Sequence, residues 1–70
     1  MDKSVGERLR RMRGSRSISE VAAACGITPS AISNYESNIR VPRDAIKMKI
    51  AAYYKKSVAY LFYADFNQET

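Results

Sequence analysis

Apolar positions recur at helical spacing along nearly the whole chain. Val5, Leu9 and Met12 fall at i, i+4 and i+7, one stripe of a first helix whose remaining faces carry Arg8, Arg10, Arg11 and Arg13 and which ends at Gly14. Ser17-Ile18-Ser19-Glu20 has the spacing of a capping box, in which the hydroxyl caps an orphan amide and the carboxylate reaches back, so a second helix starts there. It turns Val21, Ala22 and Cys25 inward and stops at Gly26. Only Ile27 separates that glycine from Thr28-Pro29, an N-cap followed by proline at the first helical position, where a missing N–H costs nothing. In the third helix Ile32 and Tyr35 face inward, leaving Ser30, Ser33, Asn34 and Ser37 outside. A loop from Asn38 to Pro42 leads into a fourth helix, from about Arg43 to Tyr54. There Ile46, Ile50, Ala51 and Tyr54 share a stripe, Met48 flanks it, the Lys47 stem snorkels, and Lys55-Lys56 suits the C-terminal dipole. Ser57 caps a short fifth helix, Val58 to Phe62. No β-branched alternation is long enough for a strand, so the fold class is all-α.

Seventy residues have room for a single core, which places one domain at 1–62 and a tail at 63–70. The sequence has no histidine and one cysteine, Cys25. This excludes disulfide frameworks, Cys/His metal sites and His-dependent catalysis, so no catalytic residue, metal or cofactor is expected. Cys25, inward on the second helix, reads as a small core hydrophobe. No apolar run approaches the roughly 18 residues of a membrane span, and no signal-type segment follows Asp2-Lys3; the expectation is a cytoplasmic protein without a membrane partner.

Charge sharpens this picture. Twelve Lys and Arg against seven Asp and Glu give +5, which suits an anionic partner, nucleic acid or membrane surface. Residues 1–16 hold six basic and two acidic side chains, residues 37–56 hold six and one, and between them 17–36 carries Glu20 and Glu36 and no cation. That cation-free centre is the pair of short helices joined by a glycine-containing turn, the arrangement of a helix-turn-helix, whose second helix can enter the DNA major groove. Ala22 is small where the helices cross, Gly26 lies in the turn, and Ile32 plugs the second helix onto the first.

With these positions in place the sequence resembles the phage repressor/Cro-like helix-turn-helix proteins, the XRE family. The resemblance runs through Val5-Gly6-Glu7-Arg8-Leu9, Ser17 to Ala22, Gly26-Ile27-Thr28, Ala31-Ile32-Ser33, Tyr35-Glu36, Pro42, and Ser57-Val58 with Leu61-Phe62. It implies a compact five-helix, lambda-repressor-like domain that binds a double-stranded DNA operator as a symmetric homodimer and represses phage, plasmid or mobile-element genes. Carried over by position, Ser30, Ser33 and Asn34 face base edges, and Asn34 is the best reader because an amide makes a bidentate pair with adenine. Thr28 and the adjoining helix amides, with Pro29 and Ser17 beside them, touch phosphate, and Arg40 and Arg43 fall where the family contacts the backbone. The resemblance further implies an ion pair between Glu36 and a first-helix arginine, Arg13 fitting better than Arg11. It also implies a subunit contact through the last helix, with Tyr60, Leu61, Tyr63 and Phe66. Two departures stand out: Ile18 replaces the glutamine that grips a phosphate, and residues 28–38 contain no Arg or Lys. Readout therefore leans on DNA shape and flanking cations.

Other readings compete at several positions. Arg8, Arg10, Arg11 and Arg13 also fit a solvated face, and the aromatics between Tyr53 and Phe66 fill either the domain's own core or a subunit contact. At the level of function the alternatives are an antitoxin-type DNA-binding protein and a protein-interaction module of the same fold. No small-molecule ligand is expected.

Overall fold

Hydroxyl side chains start three of the helices. In the computed structural model, which describes residues 3–63, Ser17 Oγ accepts from the Glu20 amide (3.0 Å), Thr28 Oγ1 from the Ala31 amide (3.1 Å) and Ser57 Oγ from the Tyr60 amide (2.9 Å). Each satisfies an amide that its own helix leaves without a partner. The chain order is α1 (Lys3–Arg13), α2 (Ile18–Cys25), α3 (Pro29–Glu36), α4 (Asp44–Tyr54) and α5 (Val58–Phe62); among the described residues all regular structure is helical. This is the all-α, lambda-repressor-like fold. α4 opens one residue later than the sequence suggests, because Arg43 leaves the buried Pro42 in extended backbone and occupies the N-cap without a side-chain bond.

Three helices end alike. At Gly26 the chain turns left-handed (φ 70°, ψ 30°), and the Gly26 and Ile27 amides reach back to the Ala23 and Ala22 carbonyls at 3.2 and 3.0 Å. This paired return is the Schellman motif, and a glycine enters it without a Cβ penalty. The same pair of bonds closes α3 with Asn38 in the left-handed position (φ 62°) and α4 with Lys55 there (φ 59°).

The core takes Val5 and Leu9 from α1, Val21, Ala22 and Cys25 from α2, Ile32 from α3, Ile50, Ala51 and Tyr54 from α4, and Leu61 and Phe62 from α5. Full burial of a large apolar side chain contributes about 1.5 to 3 kcal/mol, so a set of this size holds five short helices together. α3 packs on α2 and α1, α4 bridges α2 and α5, and α5 returns to α1. Two expectations are corrected here. Leu61 is 0% exposed: a five-residue helix has one inward face, and Leu61 with Phe62 fills it, so Leu61 offers nothing to a second subunit. Met48 is exposed rather than flanking the core stripe, since two residues from both Ile46 and Ile50 place it roughly 200° around the helix from each. Phe66 and the rest of the tail from residue 64 lie outside the described residues.

Candidate nucleic-acid interface

Ile32 of α3 is buried in the same core as Val21 and Ala22 of α2, and the opposite side of α3 is left to solvent. On that side Ser30 and Ser33 are exposed and Asn34 is half-buried, so three short uncharged polar side chains share the outward surface of an eight-residue helix. Thr28 and Pro29 stand exposed at its start. The Thr28 hydroxyl accepts the Ala31 amide and keeps its own O–H to donate, and Ser17 at the start of α2 is in the same position. Pro29 has no amide, so any contact it makes with a phosphate strand is van der Waals in kind. Ile18, where the family's phosphate-gripping glutamine is replaced, is half-buried and packs against the core.

The loop after α3 is anchored to α3 itself. The Asn34 carbonyl accepts from two amides, Ile39 at 2.9 Å and Arg40 at 3.3 Å. This folds Arg40 back alongside the last turn of the helix, and both Arg40 and Arg43 are exposed. The Asn38 side chain adds a second anchor, its Oδ1 accepting from the Gly6 amide at 3.2 Å. At Gly6 the backbone of α1 comes against the end of α3. A Cβ there would overlap the Glu36 carbonyl oxygen and lie 2.7 Å from Asn38 Nδ2.

Beside that crossing sits the one buried charged side chain among the described residues. Glu36 is 6% exposed and receives a bidentate pair from Arg13, Nε to Oε2 at 2.8 Å and Nη2 to Oε1 at 3.0 Å. Arg13 Nη1 also donates to the Arg16 carbonyl at 2.9 Å, and Arg10 Nε stands 3.9 Å from Glu36 Oε1. The hydrogen bond to Glu36 raises the pKa of Arg13 further, so the cation is permanent. The pair thus clamps the end of α1 to the end of α3 and fixes the direction in which α3 points. Arg16 lies against two rings, its guanidinium carbon 5.2 Å from the centre of Tyr53 and 5.6 Å from that of Tyr54. Burial, with Glu36 and Cys25 adding to it, pushes the Tyr54 hydroxyl up to about 12. Burial likewise raises the Cys25 thiol, as suits a core residue.

Cations stand close to the aromatic rings in and just after α5. Tyr60 lies between Arg8, 6.0 Å from its ring centre, and Lys56, 5.3 Å away. Lys47 donates to the Tyr63 hydroxyl at 2.7 Å and stands 4.8 Å from that ring. Sequence reasoning missed the Gly6–Asn38 lock and the exposed Ile39 and Val41. Asn directly after the last helical turn was the available signal for the first, since that position favours Gly or Asn.

Among the described residues no helix is long and apolar enough to cross a membrane, and no group of acidic or Cys side chains could hold a metal ion. The Helix-turn-helix family model HTH_3 matches residues 8–61, from the middle of α1 to α5. No curated protein and no solved structure matches the chain significantly. The family match covers most of the chain and takes in both helices of the motif, the clamp and the anchored loop: the protein belongs to the XRE-type, Cro/C1-like family of helix-turn-helix DNA-binding proteins.

Proposed function

We propose that this chain is a sequence-specific repressor of phage, plasmid or mobile-element genes, acting in the cytoplasm, that lays α3 in the major groove of its operator. The observation that carries the reading is the anchoring of Arg40 on the Asn34 carbonyl, which sets a cation beside the uncharged outward face of α3. Asn34 reads adenine, Ser30 and Ser33 contact base edges with less discrimination, and Ser17, Thr28, Arg40 and Arg43 hold phosphates with Pro29 packed against the strand. Two copies on a palindrome supply the affinity that a recognition helix without Arg lacks, with half-site centres about 34 Å apart. Enrichment of duplexes from a randomised pool, followed by titration at several salt concentrations, tests this. A palindromic enriched sequence with adenine in each half, and affinity falling steeply with salt, is the expected result. No enrichment, or affinity indifferent to salt, rejects it.

A second reading has one observation in its favour. Tyr60, flanked by Arg8 and Lys56, offers an aromatic surface set among cations, which suits an acidic protein partner of the kind a DNA-binding antitoxin would hold.

A further inference from the structure

Ile39 and Val41 are 71% and 56% exposed, on either side of Arg40 in the loop that follows α3. Their exposure is built into the loop. The Ile39 and Arg40 amides are held by Asn34, the Asn38 side chain holds Gly6, and Pro42 is buried. A residue in the place of Ile39, one past the left-handed position, commonly packs its apolar side chain back on the helix it follows. Ile27, its counterpart after α2, does so and is half-buried, whereas Ile39 stays in solvent. Both side chains are β-branched and stiff at χ1, so little rotamer freedom is lost when something covers them.

The charge around them selects the occupant. From Ser37 to Arg43 the chain holds two arginines and no acid. A second copy of this loop would bring arginine against arginine. A nucleic-acid strand instead presents phosphates alternating with the apolar C–H edges of deoxyribose, and the loop is continuous with the helix assigned to the groove.

We propose that Ile39 and Val41 pack on the deoxyribose edges of the DNA strand bordering the groove that α3 occupies, with Arg40 on its phosphates. The inference rests on the DNA-binding reading above. Sugar contacts carry no sequence information, so their loss is blind to sequence. The test titrates the wild type, Ile39→Ser/Val41→Ser, Ile39→Val and Arg40→Ala against a mixed-sequence 20-base-pair duplex and against the duplex the wild type enriches, each over a salt series. The double variant should lose about tenfold, about 1.4 kcal/mol, on both duplexes. It should also keep the wild-type salt slope, because no phosphate contact is lost. Ile39→Val should bind as the wild type does, and Arg40→Ala should lower the slope by about 1. Unchanged affinity of the double variant overturns the proposal. So does a loss confined to the enriched duplex, which would mean base contact, or a change in the sedimentation of the free protein, which would mean a protein partner. If the wild type binds neither duplex, the reading of α3 itself falls, a result distinct from a double variant that binds as well as the wild type.

Discussion

A carboxylate at the end of a helix ordinarily faces water, and nothing in the apolar pattern marks Glu36 as different. The structure buries it because Arg13 meets both of its oxygens, and burial changes what the pair is worth. An exposed ion pair contributes about 0 to 1 kcal/mol, whereas removing one partner of a buried pair costs about 3 to 5. Arg13 keeps some access to water, so Glu36→Ala should cost about 2 to 4 kcal/mol in chemical denaturation. A double-mutant cycle with Arg13→Ala should show coupling of at least about 1 kcal/mol, and additive losses would mean that the two side chains act independently. Asn34 is a different kind of residue, half-buried on the outward side of α3 with only its backbone carbonyl engaged by the loop. Asn34→Ala should leave the melting temperature nearly unchanged while weakening binding to the enriched duplex by about 1 to 3 kcal/mol and to random duplex hardly at all. Equal loss on both duplexes would reduce Asn34 to a positioning role.

Three of the helix starts were legible because each rests on local chemistry. Ser17, Thr28 and Ser57 cap their own following turns, and neither the partner nor the distance depends on the rest of the chain. The inward faces of α2 and α3 followed from spacing for the same reason. Contacts between elements were less accessible. Gly6 reads as an unremarked residue inside a helix until α1 is placed against the Glu36 carbonyl, and Leu61 reads as spare apolar area until α5 is packed on α1 and α4. The helix ends fall between these cases, since the left-handed position after α2 is a recognisable glycine while that after α4 is Lys55. A side chain with a Cβ pays about 1 to 2 kcal/mol in that conformation. Lys55→Gly should therefore raise stability by up to about 1 kcal/mol, the added freedom of the unfolded chain offsetting part of the relief. A lower melting temperature for this variant would mean that the Lys55 side chain contributes more than its backbone strain costs.

Charge and pH act on the molecule as a whole. Tyr54 titrates near 12 when folded and near 10 when unfolded, so the unfolded chain gives up its proton first. Its contribution, at most on the order of 3 kcal/mol, is fully present below pH 10 and is lost as pH rises from 10 toward 12. Tyr54→Phe should flatten the stability profile in that window, and a profile as steep as the wild type's would assign the loss to other groups. Assembly depends on charge in the opposite sense. Tyr60 and Tyr63, 44% and 40% exposed, are the aromatic surface left for a second subunit once Leu61 belongs to the core, yet Arg8, Lys47 and Lys56 surround them. Two copies of a chain of net charge +5 repel as they approach, a repulsion that dissolved salt screens over about 10 Å at 0.1 M. Homodimerisation of the free protein through this face should strengthen as salt is added, while DNA binding weakens because the counterion release that drives it becomes less favourable. Tyr60→Glu with Tyr63→Glu places carboxylates beside those same cations, so the domain should stay folded while the aromatic contact is lost. Sedimentation equilibrium should then show the wild type moving from one chain to two with rising salt, two chains on the enriched duplex, and a variant monomeric throughout. One chain per duplex would end the dimer model, and a variant that still dimerises would place the interface on another face.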